Sequence, residues 1–136
     1  MRSRDKLDAF KNARSVRIGQ RISSIQEFRA ILEYERARVD RNNHEFSLLI
    51  FKLNLSEHNK NGVHKSSLEA IAASRVRYTD IIGWFDEHDL GILLPYTPAD
   101  GAWKLAVDIC QLANLPMNFS ACEVYTYPSE IYHYEK

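Results

Sequence analysis

Residues 77–95 read "RYTDIIGWFDEHDLGILLP". Two apolar runs, Ile81–Phe85 and Leu90–Pro95, flank the four polar residues Asp86, Glu87, His88 and Asp89. Strand-length apolar runs with so short a polar spacer predict a β-hairpin, with strands over about 80–85 and 90–95. Its tip carries three carboxylates and an imidazole, all of them metal-ligand types. On a tight turn, however, alternating side-chain directions point Asp86, His88 and Asp89 apart. No second cluster supplies further ligands, because His58 and His64 stand isolated in a polar stretch. The expectation is a solvated hairpin tip with no metal and no cofactor.

The elements on either side fall into place around this hairpin. Upstream, "SSLE" (Ser66–Glu69) reads as a capping box opening a helix with Leu68, Ile71, Ala72 and Val76 inward. "FSLLIFKLN" (Phe46–Asn54) is a strand whose unbroken apolar run implies burial on both faces. "SIQE" (Ser24–Glu27) is another capping box, and its helix runs to about Arg41 with Ile25, Phe28, Leu32 and Val39 on one side. "NNHE" ends that helix. The charged run "EYERARVDR" predicts a solvated face on which Glu33, Glu35, Arg36 and Arg38 pair locally. Downstream, "TPAD" (Thr97–Asp100) predicts a helix start with Thr97 as cap and Pro98 in the first turn. Ala102, Leu105, Ala106, Ile109 and Ala113 make its inner face. A last strand covers about 118–127 and stops at Pro128. Residues 5–16 are weakly helical, and residues 55–65 form a polar loop.

The order is α-β-α-β-β-α-β. After the leading helix it is β-α-β-β-α-β, the split pattern of ferredoxin-like α+β folds, in which an antiparallel sheet carries helices packed mainly on one face. The division expected is a basic linker or helix over residues 1–23 and one domain over residues 24–136.

Composition narrows the function. The chain of 136 residues has zero formal net charge, but the charge is unevenly placed. Residues 1–21 hold seven Lys and Arg against Asp5 and Asp8, a local excess of +5, so the rest of the chain is acidic. An acidic body argues against nucleic acid as a partner, since neutralising phosphates supplies most of that affinity. No apolar run approaches the roughly 18 residues of a membrane span, and the opening residues lack a signal-peptide pattern. Cys110 and Cys122 form no CxxC pair and read as buried, reduced thiols. A cytoplasmic domain, its basic arm within reach of the inner membrane, is the expectation. With only five glycines there is no Gly-rich phosphate loop. Trp84 and Trp103 suit core or rim positions.

The hairpin phrase, the following "TPADGAWKLA" and the closing "FSACEVYTYP" resemble GGDEF domains, the nucleotide-cyclase-fold domains that condense two GTP into cyclic di-GMP. Without gaps, the signature falls on Asp86, Glu87, His88, Asp89 and Leu90. The two strand-one carboxylate positions fall on Lys52 and Asn54. "ILEYERARVDRNNHEFSLLIF" together with "TDIIGWFDEHDLGILLPYTPADGAW" resembles degenerate GGDEF-like segments found beside bacterial initiating sugar transferases of exopolysaccharide synthesis. The resemblance implies a nucleotide-cyclase-like fold. It also implies a regulatory or scaffold role in a protein whose linked transferase domain lies elsewhere.

Catalysis by such a site needs two Mg²⁺ ions held by carboxylates. Here an ammonium (Lys52), an amide (Asn54) and an imidazole (His88) replace them, and acidic side chains replace both glycines. The expectation is therefore a domain that is no enzyme, with no catalytic residues. One family feature persists: "RYTD" (Arg77–Asp80) stands five residues ahead of Asp86, where an RxxD motif binds cyclic di-GMP in the family. The resemblance makes Arg77 and Asp80 candidate ligand-binding residues, with Arg75 as a second guanidinium. The bare alternative is that Arg77 caps a helix end and Asp80 orders a turn. A homodimer through the N-terminal helices is the other partner expected.

Overall fold

The computed structural model describes residues 21–53, 65–115 and 121–128. It contains strands β1 (Ile22–Ser23), β2 (Phe46–Lys52), β3 (Ile81–Trp84), β4 (Asp89–Pro95) and β5 (Cys122–Tyr127). Helices α1 (Ile25–Asn42), α2 (Lys65–Arg75) and α3 (Ala99–Ala113) lie between them. The expected helix over 5–16, the loop residues 54–64, the start of the last strand and the tail with Tyr132 and Tyr134 lie outside the described residues.

The sheet order is β1-β3-β4-β2-β5. β2 pairs antiparallel with β4 and with β5, and β3 pairs antiparallel with β4. It follows that β2 and β3 point the same way, as do β4 and β5. Each pair needs a crossover helix, and crossovers of one hand put α2 and α3 on the same face. That is the expected ferredoxin-like arrangement. β1, which the sequence reading missed, adds a parallel edge strand beside β3, with Ile22 opposite Ile82.

β2 lies inside the sheet between β4 and β5 and is buried on both faces, as its apolar run implied: Phe46 through Phe51 are all buried. Leu49, Phe51 and Leu53 face α2 and α3, joining Leu68, Ala72, Ile92, Ala106 and Ile109. Phe46, Leu48 and Ile50 face the other way, into a smaller cluster with Phe28 and Val39 of α1. Cys110 and Cys122 are both free and buried in the larger cluster. The neighbouring Cys110 thiol, with burial, pushes the Cys122 thiol well up, while the hydrogen bond with Cys122 lowers the Cys110 thiol.

Local chemistry sets the helix ends. Ser24 and Glu27 close their capping box, with Ser24 Oγ accepting from the Glu27 N–H at 3.2 Å and Glu27 Oε1 accepting from the Ser24 N–H at 3.0 Å. Asn43 ends α1 at φ 64°, in the left-handed region that Asn tolerates. The second capping box does not form. α2 already starts at Lys65, so Ser66 lies inside it, and Glu69 instead accepts a hydrogen bond from Trp84 Nε1 at 2.8 Å. Thr97 does not cap α3 either; the cap position is Pro98, because Thr97 Oγ1 is drawn to Pro95 O and Arg77.

Nor is the "EYERARVDR" face simply solvated. Glu35 is buried, held by Arg38 at 3.0 Å and by His44 Nε2 at 3.2 Å, while His44 stacks on Tyr96 at 4.1 Å. The hydrophilic spacing concealed one inward carboxylate whose partner, His44, lies beyond the helix end.

α1 approaches the sheet where side chains vanish. Gly83 and Gly91 are directly paired across β3 and β4, and Phe28 lies on both. A Cβ at Gly91 would stand 2.6 Å from the Phe28 ring. Gly91→Ala should therefore lower stability by about 1–3 kcal/mol, although alanine ordinarily suits a strand better than glycine. Urea denaturation checks it, and the penalty should shrink in a Phe28→Leu background. An equal penalty in both backgrounds would remove the glycine notch as its cause.

Candidate functional site

The two ends of the sheet carry the two groups of candidate residues. At one end the β3–β4 hairpin turns through Asp86–His88. Phe85 N–H donates to Asp89 O at 2.8 Å, and Asp86 Oδ1 accepts from the Glu87 N–H at 2.8 Å, which tightens the turn. Two cations grip the tip from opposite faces. From α1, the Arg29 guanidinium donates twice to Phe85 O, at 3.0 and 2.7 Å, and lies 4.5 Å over the Phe85 ring. From α2, Lys65 Nζ donates to Glu87 O at 2.7 Å and sits 5.1 Å over the Trp84 ring. Neither Arg29 nor Lys65 was singled out in the sequence, and no motif marks them.

Lys52 ends β2 directly opposite Asp89 and reaches Glu123 Oε2 of β5 at 3.1 Å. Alternation along the strands puts Lys52, Asp89 and Glu123 on the α1 side of the sheet. An ammonium thus stands among carboxylates from both flanking strands. Burial holds the Asp89 carboxyl above its ordinary value, Lys52 opposes this, and Asp86 and Glu123 add to it. Among the described residues no three His, Cys, Asp or Glu side chains gather as metal ligands. Asn54 lies outside the described residues.

At the opposite end, Arg77 and Asp80 are brought together. Asp80 is 2% exposed, and its Oδ2 accepts the backbone N–H of Arg77 at 2.7 Å. Arg77 Nη2 donates to Asp80 Oδ1 at 2.9 Å, to Pro95 O at 3.0 Å and to Thr97 Oγ1 at 2.7 Å. The hydrogen bond that the guanidinium donates to Asp80 raises it above its ordinary value, against a smaller lowering by burial. The pair thus orders the turn between α2 and β3, and Arg77 also bridges to the segment joining β4 to α3. Arg75 is not part of this group. Its Nε pairs with Asp108 of α3 at 3.0 Å. Trp84 is partly buried and Trp103 is 39% exposed on α3, the rim positions expected.

The raised Asp89 carboxyl fixes the sign of a pH effect. The folded state keeps its proton to higher pH than the unfolded chain, so Asp89 withdraws stability as pH rises above its ordinary value of 3.8. Asp89→Asn should abolish that component of the decline, read as a flatter curve of stability against pH just above pH 4 in urea titrations. An unchanged curve would show that Asp89 is not its source.

No protein-family model matches the chain, and no curated protein sequence does. Solved structures do match. A DGC protein from Thermotoga maritima superposes with a TM-score of 0.63 at 16% identity, covering 79% of this chain and 83% of that one. The active GGEEF domain of a diguanylate cyclase from Vibrio cholerae gives 0.62 at 18%, covering 78% and 77%. The GGDEF domain of DgcB from Caulobacter crescentus, in complex with c-di-GMP, gives 0.52 at 11%, covering 77% and 70%. At such low identity the likeness speaks for architecture. This chain has the nucleotide-cyclase fold of GGDEF domains.

Proposed function

We propose that the chain is a catalytically inactive GGDEF-like domain with a regulatory or scaffold role, part of a bacterial sugar-transferase or envelope polysaccharide system. The observation that carries the first half is Lys52. Its ammonium stands opposite Asp89 and 3.1 Å from Glu123, so these carboxylates already have a covalently tethered cation. A divalent ion brought to the same place meets a like charge, and ammonium nitrogen offers it no lone pair. The acidic side chains of Asp86 and Glu87 likewise oppose an approaching triphosphate. The sugar-transferase setting is supported by the sequence likeness of residues 31–51 and 79–103 alone. Purified protein incubated with GTP and Mg²⁺ or Mn²⁺ should release neither pyrophosphate nor cyclic di-GMP, beside an active cyclase as control. Measurable turnover sinks the proposal.

A second reading is a cyclic di-GMP receptor at Arg77 and Asp80. In its favour, the Arg77 side chain is 55% exposed, and its Nη1 makes no hydrogen bond among the described residues. A guanidinium presents a planar fork suited to a phosphodiester. The DgcB structure shows that a domain of this fold holds c-di-GMP. Arg75 joins such a site only by giving up Asp108. Calorimetric titration should give saturable heat that Arg77→Ala abolishes. No heat from the parent protein would retire this reading and leave the first intact.

A further inference from the structure

We propose that the outer edge of β5 is a self-association surface. A second copy of this chain lays its own β5 antiparallel along it, making one continuous sheet across a two-fold axis at Val124. This stands apart from both readings of function above.

The backbone directions come first. β5 is the outermost strand of the sheet, beside β2. The Lys52 N–H donates to Ala121 O at 2.8 Å, in the register that also places Phe51 opposite Cys122. Hydrogen-bonded and non-hydrogen-bonded pairs alternate along an antiparallel ladder. Glu123, Tyr125 and Tyr127 therefore turn their N–H and C=O groups toward β2, whereas Cys122, Val124 and Thr126 turn theirs outward. Among the described residues none bonds to these outward groups.

The usual protections of an edge are missing from β5. Between Cys122 and Tyr127 it has no proline, no lysine and no break in register. The opposite edge is different, because β1 is two residues long and leads at once through Ser24 into α1. With one edge blunt and one open, pairing closes at two copies instead of growing into a fibre.

Charge then selects the occupant. Glu123 is the only charged residue of β5, and Lys52 already stands 3.1 Å from it. With Val124 on the axis, all three outward residues find partners: Val124 meets Val124 of the second copy, and Cys122 meets Thr126 in both directions. The same register sets Glu123 opposite Tyr125 of the second copy, in a non-hydrogen-bonded pair, where side chains approach most closely. The two groups match chemically. Within one chain Tyr125 Oη already donates to Glu123 Oε1 at 2.6 Å, and Tyr125 is 44% exposed. Shifting the axis to Glu123 would face that carboxylate with its own copy and leave Thr126 unpaired.

Sedimentation equilibrium of the whole chain should show a reversible monomer–dimer equilibrium. Tyr125→Glu sets like charges opposite one another twice and should weaken it at least about tenfold. Tyr125→Lys sets opposite charges there and should recover most of that loss. Amide exchange read by NMR reports the register. Raising the protein concentration should slow exchange at Cys122, Val124 and Thr126 and leave Glu123 and Tyr125, already bonded to β2, unchanged. The rest of the exchange map verifies that each variant is folded. A monomer up to millimolar concentration overturns the proposal. So does protection of the three amides that ignores concentration, which means that another part of the same chain covers the edge. A dimer that Tyr125→Glu leaves intact overturns it in favour of the N-terminal helices, and Tyr125→Lys as weak as Tyr125→Glu removes the register.

Discussion

Phe28 resting on Gly83 and Gly91 is the contact on which the placement of everything else on the α1 side depends. The two glycines are register partners, so their missing side chains make one notch two strands wide. An aromatic ring filling it brings α1 down onto the backbone of β3 and β4. From that seat the very next residue, Arg29, meets Phe85 O, and the turn before it runs through Ser24 into β1 beside β3. Sheet edge, helix start and hairpin tip are thus fastened within a few residues of one packed ring. Its burial also carries much of the smaller core, since a fully buried large apolar side chain contributes about 1.5–3 kcal/mol.

The charged groups show a common pattern at both ends of the sheet. Each cation of the hairpin end meets an oxygen of the protein itself: Arg29 on Phe85 O, Lys65 on Glu87 O, Lys52 on Glu123. At the far end Arg77 does the same with Asp80, Pro95 and Thr97. Such half-exposed pairs contribute little stability individually, on the order of 1 kcal/mol or less. Their effect is positional, because they fix turns that apolar packing does not reach. The Arg77–Asp80 pair differs from the others in that its carboxylate is buried, which makes its loss costlier.

Much of the fold was legible because its signals are strong over long segments. The unbroken run of Phe46–Phe51 announced a strand buried on both faces, and the split β-α-β-β-α-β order left one compact sheet topology. β1 was not legible. Two residues, Ile22 and Ser23, are too few for any periodicity, and the strand exists only because β3 offers an open edge. Two helix starts were misread for a tertiary reason. Glu69 and Thr97 have the chemistry of caps, but Trp84 Nε1 and Arg77 Nη2 compete for them from elsewhere in the chain. The same limit applies to the candidate sites. Lys52, Arg77 and Asp80 could be named from the family resemblance, whereas Arg29 and Lys65 acquire meaning only when the hairpin folds back against α1 and α2.

The position of β2 has a consequence for how the chain comes into being. Phe46 is paired with Pro95 on one side and with Tyr127 on the other. During synthesis β2 emerges before either partner, an apolar strand with two open edges. β4 covers one edge after a long delay, and β5 covers the other only once nearly the whole domain has left the ribosome. Long-range pairings of this kind fold slowly, and an uncovered apolar edge invites pairing with other chains. The uncovered edge of β2 therefore stays open to such pairing until β5 has been made.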